Sequence, residues 1–210
     1  AEELADKSEA FTTESFIEFA TSQVGKSATT NSLSSPNISL PKIAEAIATG
    51  TALGVQFPTI IANQSLDDKF AGLNRDLYAQ YSSKGIAKGT IRSVSVNIDR
   101  FTANSNLPSD LLISEIASRT AKGSVYGNTT LAIYNPPPKE LLSIINNSAR
   151  GAAEGSTNVL ELNNIDKSQE ATEDVVVQIA RASSHGSTLA ATFGLAVLDE
   201  ARPDTLSYDR

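Results

Sequence analysis

Gly85-Ile86-Ala87-Lys88-Gly89-Thr90-Ile91-Arg92-Ser93-Val94-Ser95-Val96-Asn97-Ile98 is the stretch on which the expected fold turns. Before it, Phe70, Leu73, Leu77 and Tyr81 recur at helical spacing behind Ser65, a capping residue. Asp67 and Asp68 fall in the first turn, where the helix dipole favours acids. Gly85 then reads as the stop of that helix. After Gly89 the period changes. Val94, Val96 and Ile98 alternate with Ser93, Ser95 and Asn97, the pattern of a strand with one buried face. A second short strand is expected from Thr129 to Tyr134, halted by Pro136-Pro137-Pro138, where three successive residues lack an N–H. The expectation is a mainly α fold with a small β component (α+β), in which six or seven helices pack around a short β-ribbon. Such strands are too few and too far apart for a doubly wound sheet.

The remaining glycines punctuate the chain in the same reading. Phe11, Phe16, Ile17, Phe19, Ala20 and Val24 suggest the apolar face of a first helix, ended by Gly25. Residues 26 to 41, rich in Ser, Thr and Asn, read as a loop. A helix follows with Pro41 in its first turn and Ile43, Ala46 and Ile47 inward, ended by Gly50 or Gly54. Another opens at Pro108-Ser109-Asp110, carries Leu111, Leu112, Ile113, Ile116 and Ala117, and closes at Gly123. Residues 139 to 150 are expected helical, 151 to 157 a small-residue hinge and 158 to 162 a brief strand. A helix from 170 to 183 is expected to turn Val175, Val176, Ile179 and Ala180 inward, and Ser184-His185-Gly186-Ser187 to be a turn before an Ala-rich last helix. Three parts result: an acidic arm and first helix (1–25), a helical core with the ribbon and a basic midsection (26–150), and a C-terminal helical segment and tail (151–210).

Composition narrows the function. The 210 residues contain no Cys, Met or Trp, and a single His. No disulfide, thiolate zinc site or cysteine nucleophile is possible. Hydrophobic residues make up 40% and charged residues 20%, enough apolar mass for a core. No 18-residue apolar run predicts a membrane span. The chain opens on Ala1, a residue that both initiator-methionine removal and signal cleavage leave behind. Four sequons, at Asn37, Asn63, Asn128 and Asn146, are what an Asn-rich chain gives by chance.

Catalytic patterns are missing. His185 stands beside serines, but no Gly-x-Ser-x-Gly elbow accompanies it, and a turn histidine near a helix cap is the simpler expectation. Asp67-Asp68 and Glu173-Asp174 are adjacent pairs, which point to different sides of a helix. No phosphate-cradling glycine motif is present, and Gly85 to Thr90 resembles one only loosely. No catalytic residue, metal ligand or cofactor is expected.

Charge is distributed unevenly. The net charge is −7, yet the first 25 residues carry −5 and residues 84 to 122 carry +3. Lys84, Lys88, Arg92, Arg100, Arg119 and Lys122 make that midsection basic. Such a surface suits a phosphate backbone or the acidic arm of a neighbouring copy. In composition the chain is similar to helical plant-virus coat proteins, which are likewise acidic, helical and poor in sulfur. The expected function is a non-enzymatic structural subunit that self-assembles into a filament or shell, in a virion or outside the cell. Its partners would be copies of itself, with single-stranded RNA held at those six cations. The alternatives are a secreted or periplasmic binding or adhesion module, and a hydrolase using a serine with His185 or a carboxylate pair.

Overall fold

The computed structural model describes residues 12–32, 39–64, 75–103, 105, 107–130, 138–158 and 169–201. Among these residues every regular element is a helix: α1 (Thr13–Ser32), α2 (Leu40–Gln64), α3 (Arg75–Val96), α4 (Ile98–Thr102), α5 (Ser109–Thr130), α6 (Pro138–Asn158) and α7 (Gln169–Ala201). Helices α3 and α5 are the two central elements. α1 and α6 pack chiefly on α3, while α2 and α7 pack on α5.

The expected β-ribbon is absent among the described residues, so the α+β expectation is corrected to an all-helical fold. Ile91 to Val96 are the last turns of α3, and the helix runs through both Gly85 and Gly89. The alternation that suggested a strand is broken by burial. Val94 is fully buried but Val96 is 66% exposed, whereas a strand would turn both to one side. The buried positions Ile86, Ala87, Thr90, Ile91 and Val94 recur at three- and four-residue steps instead. Thr129 and Thr130 likewise close α5, the rest of that expected strand lying outside the described residues. The third expected strand shares only Asn158, the end of α6, with them.

Apart from Gly50 and Gly54, the glycines with described surroundings are contact points, and the helices run through them. Gly85 and Gly89 of α3 face the carbonyl oxygens of Glu18 and Ser22 on α1. Gly123 and Gly127 of α5 face those of Glu45 and Thr49 on α2. Gly151 and Gly155 of α6 face those of Gln80 and Lys84 on α3. At each of these six sites a Cβ would overlap the opposing oxygen. Two glycines four residues apart meet two carbonyls four residues apart in all three cases, because both helices repeat on one face at that step. Gly186 makes the same contact with Ser118 between α7 and α5, inside what the sequence suggested was a turn. Residues 151 to 157, the expected hinge, are the closing turns of α6. No described glycine has a positive φ, so conformation alone does not require them.

Close approach changes what is buried. The row of α1 facing α3 is Thr21, Gly25 and Thr29, while Phe16, Phe19 and Val24 of the expected apolar face are 60%, 51% and 47% exposed. On α2 the buried row is Ala44, Ala48 and Ala52, and Ala46 faces out. Ile179 is buried as expected, but Ala180 is exposed. A few buried hydroxyls bond their own helix one turn back, whereas those of Thr29, Thr90, Thr120, Ser124, Ser156, Ser183 and Ser187 meet no hydrogen-bond partner among the described residues. Thr21 donates to the Ile17 carbonyl (2.7 Å) and Thr129 to that of Val125 (2.7 Å). Where α3, α4, α5 and α7 meet, a larger apolar cluster forms from Ile91, Val94, Phe101, Leu112, Ile116 and Ile179. Thr12 starts α1 by accepting the Ser15 N–H on its hydroxyl (3.2 Å).

One polar side chain ties four helices together. Asn128 of α5 is fully buried. Its Oδ1 accepts from Gln56 of α2 (3.3 Å), and its amide group faces Ser83 of α3 and Ser148 of α6, both at 3.0 Å. This sequon is therefore closed to glycosylation in the folded protein, whereas Asn146 is exposed on α6.

Three outcomes follow from this packing. Gly151→Ala, which drives a methyl into the Gln80 carbonyl, should lower stability by roughly 1–3 kcal/mol in urea unfolding. Gly50→Ala should raise it by about 0.5–1 kcal/mol, because a Cβ there meets nothing and only helix propensity changes. Asn128→Leu should cost about 1–3 kcal/mol by removing the amide that bonds the buried Ser83 and Ser148 hydroxyls.

Candidate functional site

An open groove of about 910 Å³ runs along α5 between the start of α2 and the middle of α7. Its floor is one face of α5. Leu107 precedes the helix, and Leu111, Ser114 and Ser118 follow at three- and four-residue steps. One wall is Gln178, Arg181, Ala182 and His185 of α7, again one helical face. Pro41 and Lys42 in the first turn of α2 form the other. Leu107 and Leu111 are 39% and 51% exposed, so the floor offers bare apolar surface.

Charges in the groove differ in how they are held. Arg119 donates from Nε to Glu115 (2.8 Å) and from Nη1 to Glu45 of α2 (2.9 Å). Those hydrogen bonds, Glu115 first, raise its pKa above the ordinary arginine value against the opposing effect of burial. Lys122 reaches the other oxygen of Glu45 at 2.6 Å. Burial pushes the Glu45 carboxyl up, but the Lys122 and Arg119 hydrogen bonds and charges outweigh it and hold the pKa below its ordinary value. Lys42 and Arg181 are exposed, and neither meets a carboxylate among the described residues. Asp110 sits in the first turn of α5, on the favourable end of the dipole.

The six cations singled out in the sequence fall on α3, α4 and α5. Lys84 and Lys88 both bind Glu18 of α1, at 3.1 and 3.2 Å. Arg119 and Lys122 share Glu45. Four of the six thus staple neighbouring helices, in two separate clusters. Arg92 and Arg100 are exposed on α3 and α4. The acidic leading segment and basic midsection do meet, through Glu18, within one chain.

His185 is exposed on the groove wall, with Ser114 and Ser118 also lining it. No hydrogen bond joins it to a serine or a carboxylate among the described residues, so the ordered base of a nucleophilic triad is not assembled there. No group of three or more His, Asp or Glu side chains could hold a metal ion among those residues. No described helix is long and apolar enough to cross a membrane. The sequence reading missed Lys42, Arg181 and the exposed leucines. The step from Gln178 through Arg181 and Ala182 to His185 was the available signal, hidden by treating 184–187 as a turn. No known protein family, characterised protein sequence or solved structure matches this chain.

Glu45→Gln should lower stability by about 1 kcal/mol at neutral pH, since two partly exposed bridges are lost. Glu45 ionises more readily in the folded chain than in the unfolded one. Its contribution is therefore complete above 4.5, the ordinary value, and disappears as pH falls through the lowered folded value. Unfolding curves of the two proteins should converge on that acid side.

Proposed function

We propose that this chain is a non-enzymatic helical subunit that associates with copies of itself. The observation that carries the reading is where the aromatic rings lie. Three phenylalanines have described side chains. Phe101 is buried, while Phe16 and Phe19 stand on the outside of α1 above an interface made of Thr21, Gly25 and Thr29. A fold that buries glycine, alanine and hydroxyls at its helix contacts, and leaves neighbouring rings in water, has apolar surface to cover. The open leucine floor of the groove is a second such surface.

A grip on RNA has less support as part of this reading. Lys84, Lys88, Arg119 and Lys122 already meet carboxylates, and Arg92, exposed on α3, is the position from which a phosphate contact would be made. The hydrolase alternative lacks a connected base at His185. Sedimentation velocity over a wide range of protein concentration tests the proposal. Species larger than the monomer should grow with concentration. A single monomer boundary at millimolar protein and low ionic strength would end the reading. Added single-stranded RNA that shifts the boundary, and loses the effect in Arg92→Ala, would restore the coat-type extension.

A further inference from the structure

We infer that the groove over α5 receives the outer face of α1 from a second copy of this chain, with Phe16 and Phe19 seated on Leu107 and Leu111. This rests on the self-association reading and names the two surfaces that would meet.

Both halves are bare in the monomer. Phe16 and Phe19 lie one turn apart on α1, 60% and 51% exposed. The groove floor shows Leu107 and Leu111 with Ser114 and Ser118 beyond them, small side chains that let a helix settle close. From Leu111 to Ser118 the floor runs about 10 Å along the α5 axis, enough for two turns of a docked helix. The walls on α2 and α7 stand either side of it. This is the geometry of helix-in-groove recognition, with anchors spaced by one turn.

Charge selects the same occupant. The residues before α1 include Glu2, Glu3, Asp6 and Glu9 against Lys7 alone, and Glu14 lies in the first turn of the helix. The groove walls carry Lys42 and Arg181, exposed and without a carboxylate among the described residues. Glu115 is held by Arg119, which leaves Asp110 as the acid facing the incoming chain. An α1 of the opposite polarity, or a basic helix, would lose this match.

A chain cannot fill its own groove in this way. Its α1 is fixed on α3 by the Gly85 and Gly89 contacts, while the groove belongs to α2, α5 and α7. The contact is therefore between copies. Because the surface given differs from the surface received, it is heterologous and propagates as an open chain of subunits or a ring.

Complementation tests it on the full-length protein. The double variant Phe16→Asp/Phe19→Asp lacks the inserting face, and Leu111→Asp lacks the receiving one. Each should sediment as a monomer at concentrations where the unaltered chain assembles. Mixed in equal amounts, they should form a discrete 1:1 dimer, because each keeps the half the other has lost. All three substitutions are at exposed positions, and circular dichroism with thermal melts checks their folding. Should Leu111→Asp misfold, Arg181→Glu replaces it, and a several-fold rise in the concentration of half-assembly is expected. Assembly of either apolar variant by itself, or a mixture that stays monomeric, would overturn the pairing while leaving self-association standing. An unaltered chain that never assembles would remove both.

Discussion

Backbone-to-backbone contact at paired glycines sets the terms for the rest of this molecule. Where Gly85 and Gly89 meet α1, Gly123 and Gly127 meet α2, and Gly151 and Gly155 meet α3, an opposing carbonyl occupies the space a methyl would need. Helices that approach so closely have no room between them for leucine or phenylalanine. Their interfaces are instead filled by alanine, serine and threonine, which gain from dispersion contacts and, at Thr21, Ser82 and Thr129, from a hydroxyl bond to the preceding turn. The larger apolar cluster is confined to the region where α3, α4, α5 and α7 diverge enough to accept Ile91, Phe101, Leu112 and Ile179.

This packing also explains the charge arrangement. Carboxylates on the outer helices lie beside the glycine contacts and reach over them to the central helices. Glu18 spans Lys84 and Lys88 of α3, and Glu45 spans Arg119 and Lys122 of α5. Each acid sits at a contact carbonyl itself, since the oxygens opposing Gly85 and Gly123 are those of Glu18 and Glu45. Partly exposed pairs of this kind contribute little energy singly. They add orientation, because a helix turned about its axis would lose both partners at once. The basic midsection of the sequence is thus largely internal stapling. The groove cations Lys42 and Arg181 come from outside it.

An interior built from small side chains leaves large ones for the surface. Phe16, Phe19, Leu111 and Leu142 are each at least half exposed. The proposed assembly uses that residue of apolar surface, and the groove over α5 is concave where the outer face of α1 is convex. Buried Asn128 serves a different purpose. It draws donors and acceptors from α2, α3, α5 and α6 to one point, and an unmatched partner in that interior is costly enough to favour a single arrangement of the four helices.

The helical content was legible in the sequence. The starts at Pro41 and near Ser109, the stop-free run of α5 as far as Ala117 and the burial of Ile113, Ile116 and Ile179 all follow from local periodicity and capping chemistry. The uneven charge was legible as well, down to the six cations. What local reading misassigned was the glycines it took as stops, hinge or turn, among them Gly25, Gly85, Gly123, Gly151 and Gly186, and with them the apparent strand after Gly89. The reason is physical. A glycine weakens an isolated helix by about 1 kcal/mol, so read alone it marks an end. At the paired contact glycines a neighbouring backbone at contact distance repays that loss. The four-residue spacing of the pairs was visible, but the carbonyls that fill it belong to helices distant in the chain. Sequence alone therefore determined that this protein is rich in helix-forming segments with opposite charges at its leading end and middle. Tertiary structure decided which face of each helix is inside, because that depends on how near two backbones can come.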